Sequence, residues 1–182
     1  FHLACAARAL SPEASDAEIA AMALDIVRGA RQLLKASDAP DRKLERAVVV
    51  TIAGCAVTGK ASDRLMAQGV KRVAAELDAI VLPDGGHASR SPEAGLELLF
   101  DLLTLDDALG QRGRPSPEAL TRAIDRLSSS VRFFTLADGH LAAFQGGEAV
   151  EPRRVAAALA HDDHGPRPPP SAPHVGYQKI DR

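Results

Sequence analysis

Apolar residues recur along this chain at alternating steps of three and four, and no other feature restricts the possible folds as strongly. Between Ser15 and Ala36 the series Ile19, Met22, Ala23, Ile26, Val27, Ala30, Leu33 and Leu34 falls on one face of a helix, because about 3.6 residues complete a turn. Ser15 or Asp16 can accept the first free amide hydrogens, and Glu18 places negative charge at the positive helix end. Asp38-Ala39-Pro40 reads as the stop.

Five more helices follow by the same logic. Leu44, Ala47, Val48, Ile52, Cys55 and Ala56 suit a second one that ends at Gly59. The run Val48 to Ile52 alone would suit a buried strand, but the longer pattern favours a helix. Ser62 to Val81 forms a third, stopped by Pro83-Asp84-Gly85-Gly86. Ser91-Pro92-Glu93 and Ser116-Pro117-Glu118 each supply a capping hydroxyl, a proline fit for the first helical position and an acid beside the dipole. The helix after Pro92 carries Leu96, Leu99, Leu102 and Leu105 and ends near Gly110, and the helix after Pro117 carries Leu120, Ile124, Leu127 and Val131. Val131 to Phe144 then gathers β-formers around Asp138-Gly139, which predicts a short hairpin or structured loop. A last helix spans Pro152 to Ala160. The fold class is therefore all-α, antiparallel helices with a short hairpin-like insertion, and no fixed repeat period points to a solenoid.

A chain of 182 residues with 46% hydrophobic residues can bury a core. Its formal charge of -2 offers no basic excess for nucleic acid or an anionic membrane, so neither is expected as a partner. No stretch is long and apolar enough for a membrane span. The opening FHLACAARAL shows no signal-peptide pattern, and because residue 1 is Phe, that says nothing about compartment. Cys5 and Cys55 lie far apart in helical surroundings and read as buried thiols. His161-Asp162-Asp163-His164 reads as solvated polarity beside a proline-rich segment. No metal site and no cofactor are expected.

The segment Leu82-Pro83-Asp84-Gly85-Gly86-His87-Ala88-Ser89-Arg90-Ser91-Pro92 resembles the D-G-[GS]-H-[FW]-E-x-S-P-x-Y-H pattern of heparinase II/III-like polysaccharide lyases. Similarity continues at Ala119 to Leu127, at Arg132-Phe133-Phe134 before Asp138-Gly139, and at Ala172 to Gln178. The resemblance implies part of an incomplete α/α toroid over residues 1–165, a proline-rich linker at 166–173 and, at 174–182, the first strand of a missing β domain. It also implies β-elimination on a uronate-containing glycan, an acidic polysaccharide partner and a periplasmic or secreted address.

That chemistry needs a group to neutralise the uronate carboxylate, a base at C5 and an acid at the leaving oxygen. His87 matches the motif histidine and is the candidate catalytic residue, although it could equally cap the helix starting at Pro92. Arg90, His174 and Tyr177 are the candidate substrate-binding residues. Ser89 stands where the family has glutamate, Ala94 where it has tyrosine and Gly95 where it has histidine. The helix start Asp41 to Arg46 carries no Asn-His pair. An alternative is a non-catalytic glycan-binding or envelope-assembly protein, or a helical interaction scaffold. A missing domain would leave apolar surface near Gly85 and Gly147.

Overall fold

The computed structural model describes residues 4–5, 14–36, 42–162, 165 and 168–180. They are mostly helical, with one very small antiparallel sheet. Helices α1 (Asp16–Lys35), α2 (Lys43–Ala56), α3 (Lys60–Ile80), α4 (Pro92–Gln111), α5 (Glu118–Phe134) and α6 (Pro152–Leu159) are followed by strands β1 (Ser171–Ala172) and β2 (Tyr177–Gln178). The chain divides into two compact units, one of residues 1–76 and 104–117, the other of residues 77–103 and 118–182.

In the first unit, α1 starts at a reciprocal capping box. Ser15 Oγ accepts from Glu18 N–H while the Glu18 carboxylate accepts from Ser15 N–H at 2.8 Å. The helix packs on α2 but buries only Ile26 and Ala30 fully, and Ile19 and Leu24 stay exposed. Helix α2 is the opposite case, with nine of its residues buried. Its β-branched run is helical, and the Thr51 hydroxyl donates to Ala47 O at 2.7 Å, inside the helix. Gly54 and Gly69 let α2 and α3 approach closely, because a Cβ at either would overlap Met66 or Thr51. Ser62 Oγ donates toward Gly54 O and Val57 O, satisfying carbonyls at the end of α2. The expected stop at Asp38-Ala39-Pro40 lies outside the described residues.

In the second unit the leucines of α4 and α5 form the core; Leu96, Leu99, Leu102, Leu120 and Leu127 are all at most 1% exposed. Helix α4 begins as its sequence dictates, with Ser91 Oγ accepting from Ala94 N–H at 3.3 Å. Helix α5 runs on to Phe134, so Val131 to Phe134 is helix and not the start of a hairpin. Phe133 and Phe134 are both buried, and that burial outweighs their local β preference. The insertion starts only at Thr135, as single bridges from Thr135 to Leu141 and from Leu141 to Val150 around the Asp138-Gly139 turn. Helix α6 is anchored by Val155 and Ala158, and by Arg154, whose guanidinium lies 2.7 and 2.8 Å from the two Glu97 oxygens and over the Phe100 ring.

Strand β2 pairs with β1, Ala172 opposite Tyr177. The strand expected near residue 174 thus finds its partner within this chain, five residues back.

Candidate functional site

All four residues singled out from the sequence belong to the second unit, and the structure brings them together. His87 and Arg90 sit in the loop between α3 and α4, residues 81–91. His174 and Tyr177 sit on the β1–β2 segment that lies against it. The loop folds back through a Val81–His87 bridge, and Leu82 N–H donates to Gly86 O at 2.9 Å.

Each motif residue has a structural task there. Asp84 Oδ2 accepts from the backbone N–H groups of His174 (2.6 Å) and Val175 (3.0 Å), and its Oδ1 accepts from Gly86 N–H at 3.2 Å. Arg90 Nε donates to Val175 O at 2.7 Å, so loop side chains hold both backbone polar groups of Val175. Gly86 is required because a Cβ would overlap Val175 Cγ1, and Gly85 because its φ is +83° and a Cβ would overlap Arg126 O.

The Tyr177 ring is edge-on to Phe134 at 5.4 Å and stacked on Phe144 at 5.0 Å, with the Arg90 guanidinium 5.7 Å from its centroid. Lys179 Nζ donates to Thr135 O at 2.8 Å. Leu136, Phe144 and Ile180 are exposed; of these, Phe144 lies beside Gly147, whereas Gly85 is buried against Arg126.

His87 does not present a free base. Its Nδ1 accepts from Ser89 N–H at 3.1 Å and lies 2.7 Å from Ser89 Oγ, and burial pushes its pKa below the ordinary imidazole value. His174 is exposed and contributes its backbone. Ala94 supplies no proton donor. At the start of α2, Arg42 pairs with Glu45 at 3.9 Å, both well exposed, which is a solvated face.

Among the described residues no group of three or more His, Cys, Asp or Glu could hold a metal ion, and no helix is long and apolar enough to cross a membrane. Asp163 and His164 lie outside the described residues. His161 has Nδ1 2.7 Å from Ala158 O and Nε2 3.2 Å from Ser128 Oγ.

Sequence reasoning missed a half-open cavity of about 510 Å³ in the first unit, lined by Ile19, Met22 and Ile26 of α1, by both cysteines and by Arg112. Burial pushes the Cys55 thiol up, whereas Cys5 is exposed, so only one of the two thiols is buried. The uneven coverage of the α1 stripe, invisible to periodicity, is what opens this cavity.

Comparison with known proteins corrects the functional expectation. No family model matches the chain, and no solved structure matches it. A curated relative from Caulobacter vibrioides, FtsZ-localized protein C, is 65% identical over 179 residues, covering 98% of this chain and 31% of that protein. The chain thus spans about a third of the length of the relative it matches. That relative bears no heparinase or lyase name, so the assignment to heparinase II/III-like lyases, β-elimination on uronates and the acidic polysaccharide partner are all overturned. The motif behind the resemblance has a physical explanation: Asp84, Gly86 and Arg90 build a seat for residues 174–177, and Gly85 lets the loop close on Arg126.

Proposed function

We propose that this chain is a helical, non-catalytic interaction segment of a longer protein that localises with FtsZ and so takes part in cell division. The observation that carries the reading is the 65% identity to FtsZ-localized protein C across nearly the whole chain. Identity at that level extends to surface positions as well as core ones. The chemistry agrees with a binding role. His87 is engaged by Ser89, Arg90 and Asp84 are engaged by backbone, and Ala94 offers no acid. In this proposal His87, Arg90, His174 and Tyr177 organise one face of the second unit without acting on a substrate. For the longer protein, a toroidal arrangement of the helices belongs to the same proposal, supported by the succession of helices along the chain.

The test uses the full-length protein in two assays. A fluorescent fusion should concentrate where FtsZ assembles in cells, and the purified protein should co-pellet with assembled FtsZ. Deleting the region equivalent to residues 14–180 should reduce both. A uniform cellular distribution together with no co-pelleting would sink the proposal, and full retention after the deletion would place the function elsewhere in the protein.

A further inference from the structure

The segment 168–180 is attached to the second unit in an unusual way. Of its side chains only Ala172 and Val175 are buried, and its two strands are two residues long. Such a segment cannot hold itself in place by its own ladder. What holds it are polar clasps. Asp84 accepts two consecutive amide hydrogens, from His174 and Val175. Arg90 closes on Val175 O from the other side, and Lys179 reaches Thr135 O.

Arg90 makes its bond from a left-handed backbone, φ +63°, a conformation that non-glycine residues avoid and that tends to mark positions held under strain. Its backbone N–H closes a local turn on His87 O at 2.8 Å, while its side chain donates its hydrogen bond to the segment, so the strained residue is tied to the segment's seating.

We propose that residues 171–178 form a reversible strap, latched by Asp84 and Arg90, that opens without unfolding the helices beneath it. In the open state Val175 leaves the space above Gly86, the Arg90 guanidinium is released from Val175 O, and Tyr177 withdraws from Phe134 and Phe144. Because Phe144 stacks on Tyr177, strap opening also loosens the 141–150 loop. The device is thus a conformational switch that covers or uncovers the aromatic surface of the second unit. It stands independently of the proposal about FtsZ, since it follows from the hydrogen bonds and burial of this unit alone.

Amide hydrogen exchange on the full-length protein tests it. The amides of His174 and Val175 should exchange at least tenfold faster than those of Leu127 and Val131 in α5, which report opening of the core. Asp84→Ala should speed exchange across 171–178 by a further tenfold or more and raise that of 141–150, leaving α5 unchanged. Arg90→Ala, at an exposed position, gives the same readout if the Asp84 variant does not fold. Strap amides that exchange in step with α5 in the native protein would overturn the proposal, since the strap would then open only with the whole unit. So would an Arg90→Ala variant with unaltered strap exchange.

Discussion

At Gly86 the missing side chain makes room for Val175, and because Val is β-branched and stiff at χ1, it cannot swing aside. Gly86→Ala should therefore lower the stability of the second unit by about 1–3 kcal/mol, the usual range for overpacking. Gly85→Ala adds strain from its positive φ to the overlap with Arg126 O and should be at least as harmful. Gly110, helical with open space around it, is the control: Gly110→Ala should stabilise by roughly 0.5–1 kcal/mol. Denaturant midpoints of the three variants decide the order. His87 makes a second prediction at this scale. Burial holds its folded pKa below the ordinary value of about 6.5, so on acidification the unfolded chain takes up a proton before the folded one does. Stability should be flat in this contribution above about pH 7 and fall as pH drops through the unfolded pKa. His87→Gln, which keeps an acceptor for Ser89 N–H, should lose less stability than the native protein between pH 7.5 and 5.5 in paired urea titrations.

Among the helices, α1 depends most on its own local chemistry, because it buries so little. Ser15→Ala removes the hydroxyl that accepts from Glu18 N–H, leaving only the bond from the backbone N–H of residue 15 to the Glu18 carboxylate, and should cost about 1 kcal/mol, seen as faster amide exchange in the first turns of α1 with little change in α5. The helices were legible in the sequence because of their apolar stripes, reinforced by a cap at Ser15 before Ile19 to Leu34 and at Ser91-Pro92 before the leucines of α4, whereas α2 and α6 start with no side-chain cap. Thr51 and Ile52 show why the strand-like run resolved as helix: the stripe around them was longer than any strand. Phe133 and Phe134 show where local reading stopped working, since their β preference gave way to burial among residues distant in sequence. The candidate site divides in the same manner. His87, Arg90, His174 and Tyr177 could be picked out one by one, and Ser89 is a local partner of His87, but Val175 and Asp84, the partners of Arg90 and His174, depend on a tail docking onto a loop more than eighty residues away. A motif read without those contacts looked like chemistry, when Asp84 and Arg90 were shaped to hold backbone.

For the molecule as a whole, charge decides how this region can associate with anything large. The sequence carries 22 Lys and Arg against 24 Asp and Glu, and several cations already face carboxylates, Arg112 with Asp63 at 3.1 Å and Arg154 with Glu97 among them. Binding driven by counterion release needs a basic excess and weakens by roughly 10³-fold or more between about 50 and 200 mM salt. This chain has no such excess, and the polar contacts at its strap are made to its own backbone. Under the proposed function, the association it mediates is expected to rest on apolar and aromatic surface, of which Leu136, Phe144 and Ile180 are exposed examples in the second unit. Co-pelleting with FtsZ carried by this region should change less than about tenfold across that salt range, whereas Phe144→Ser should weaken it at every salt concentration. A steep salt dependence that is indifferent to Phe144 would mean that the contact is electrostatic and lies elsewhere in the longer protein.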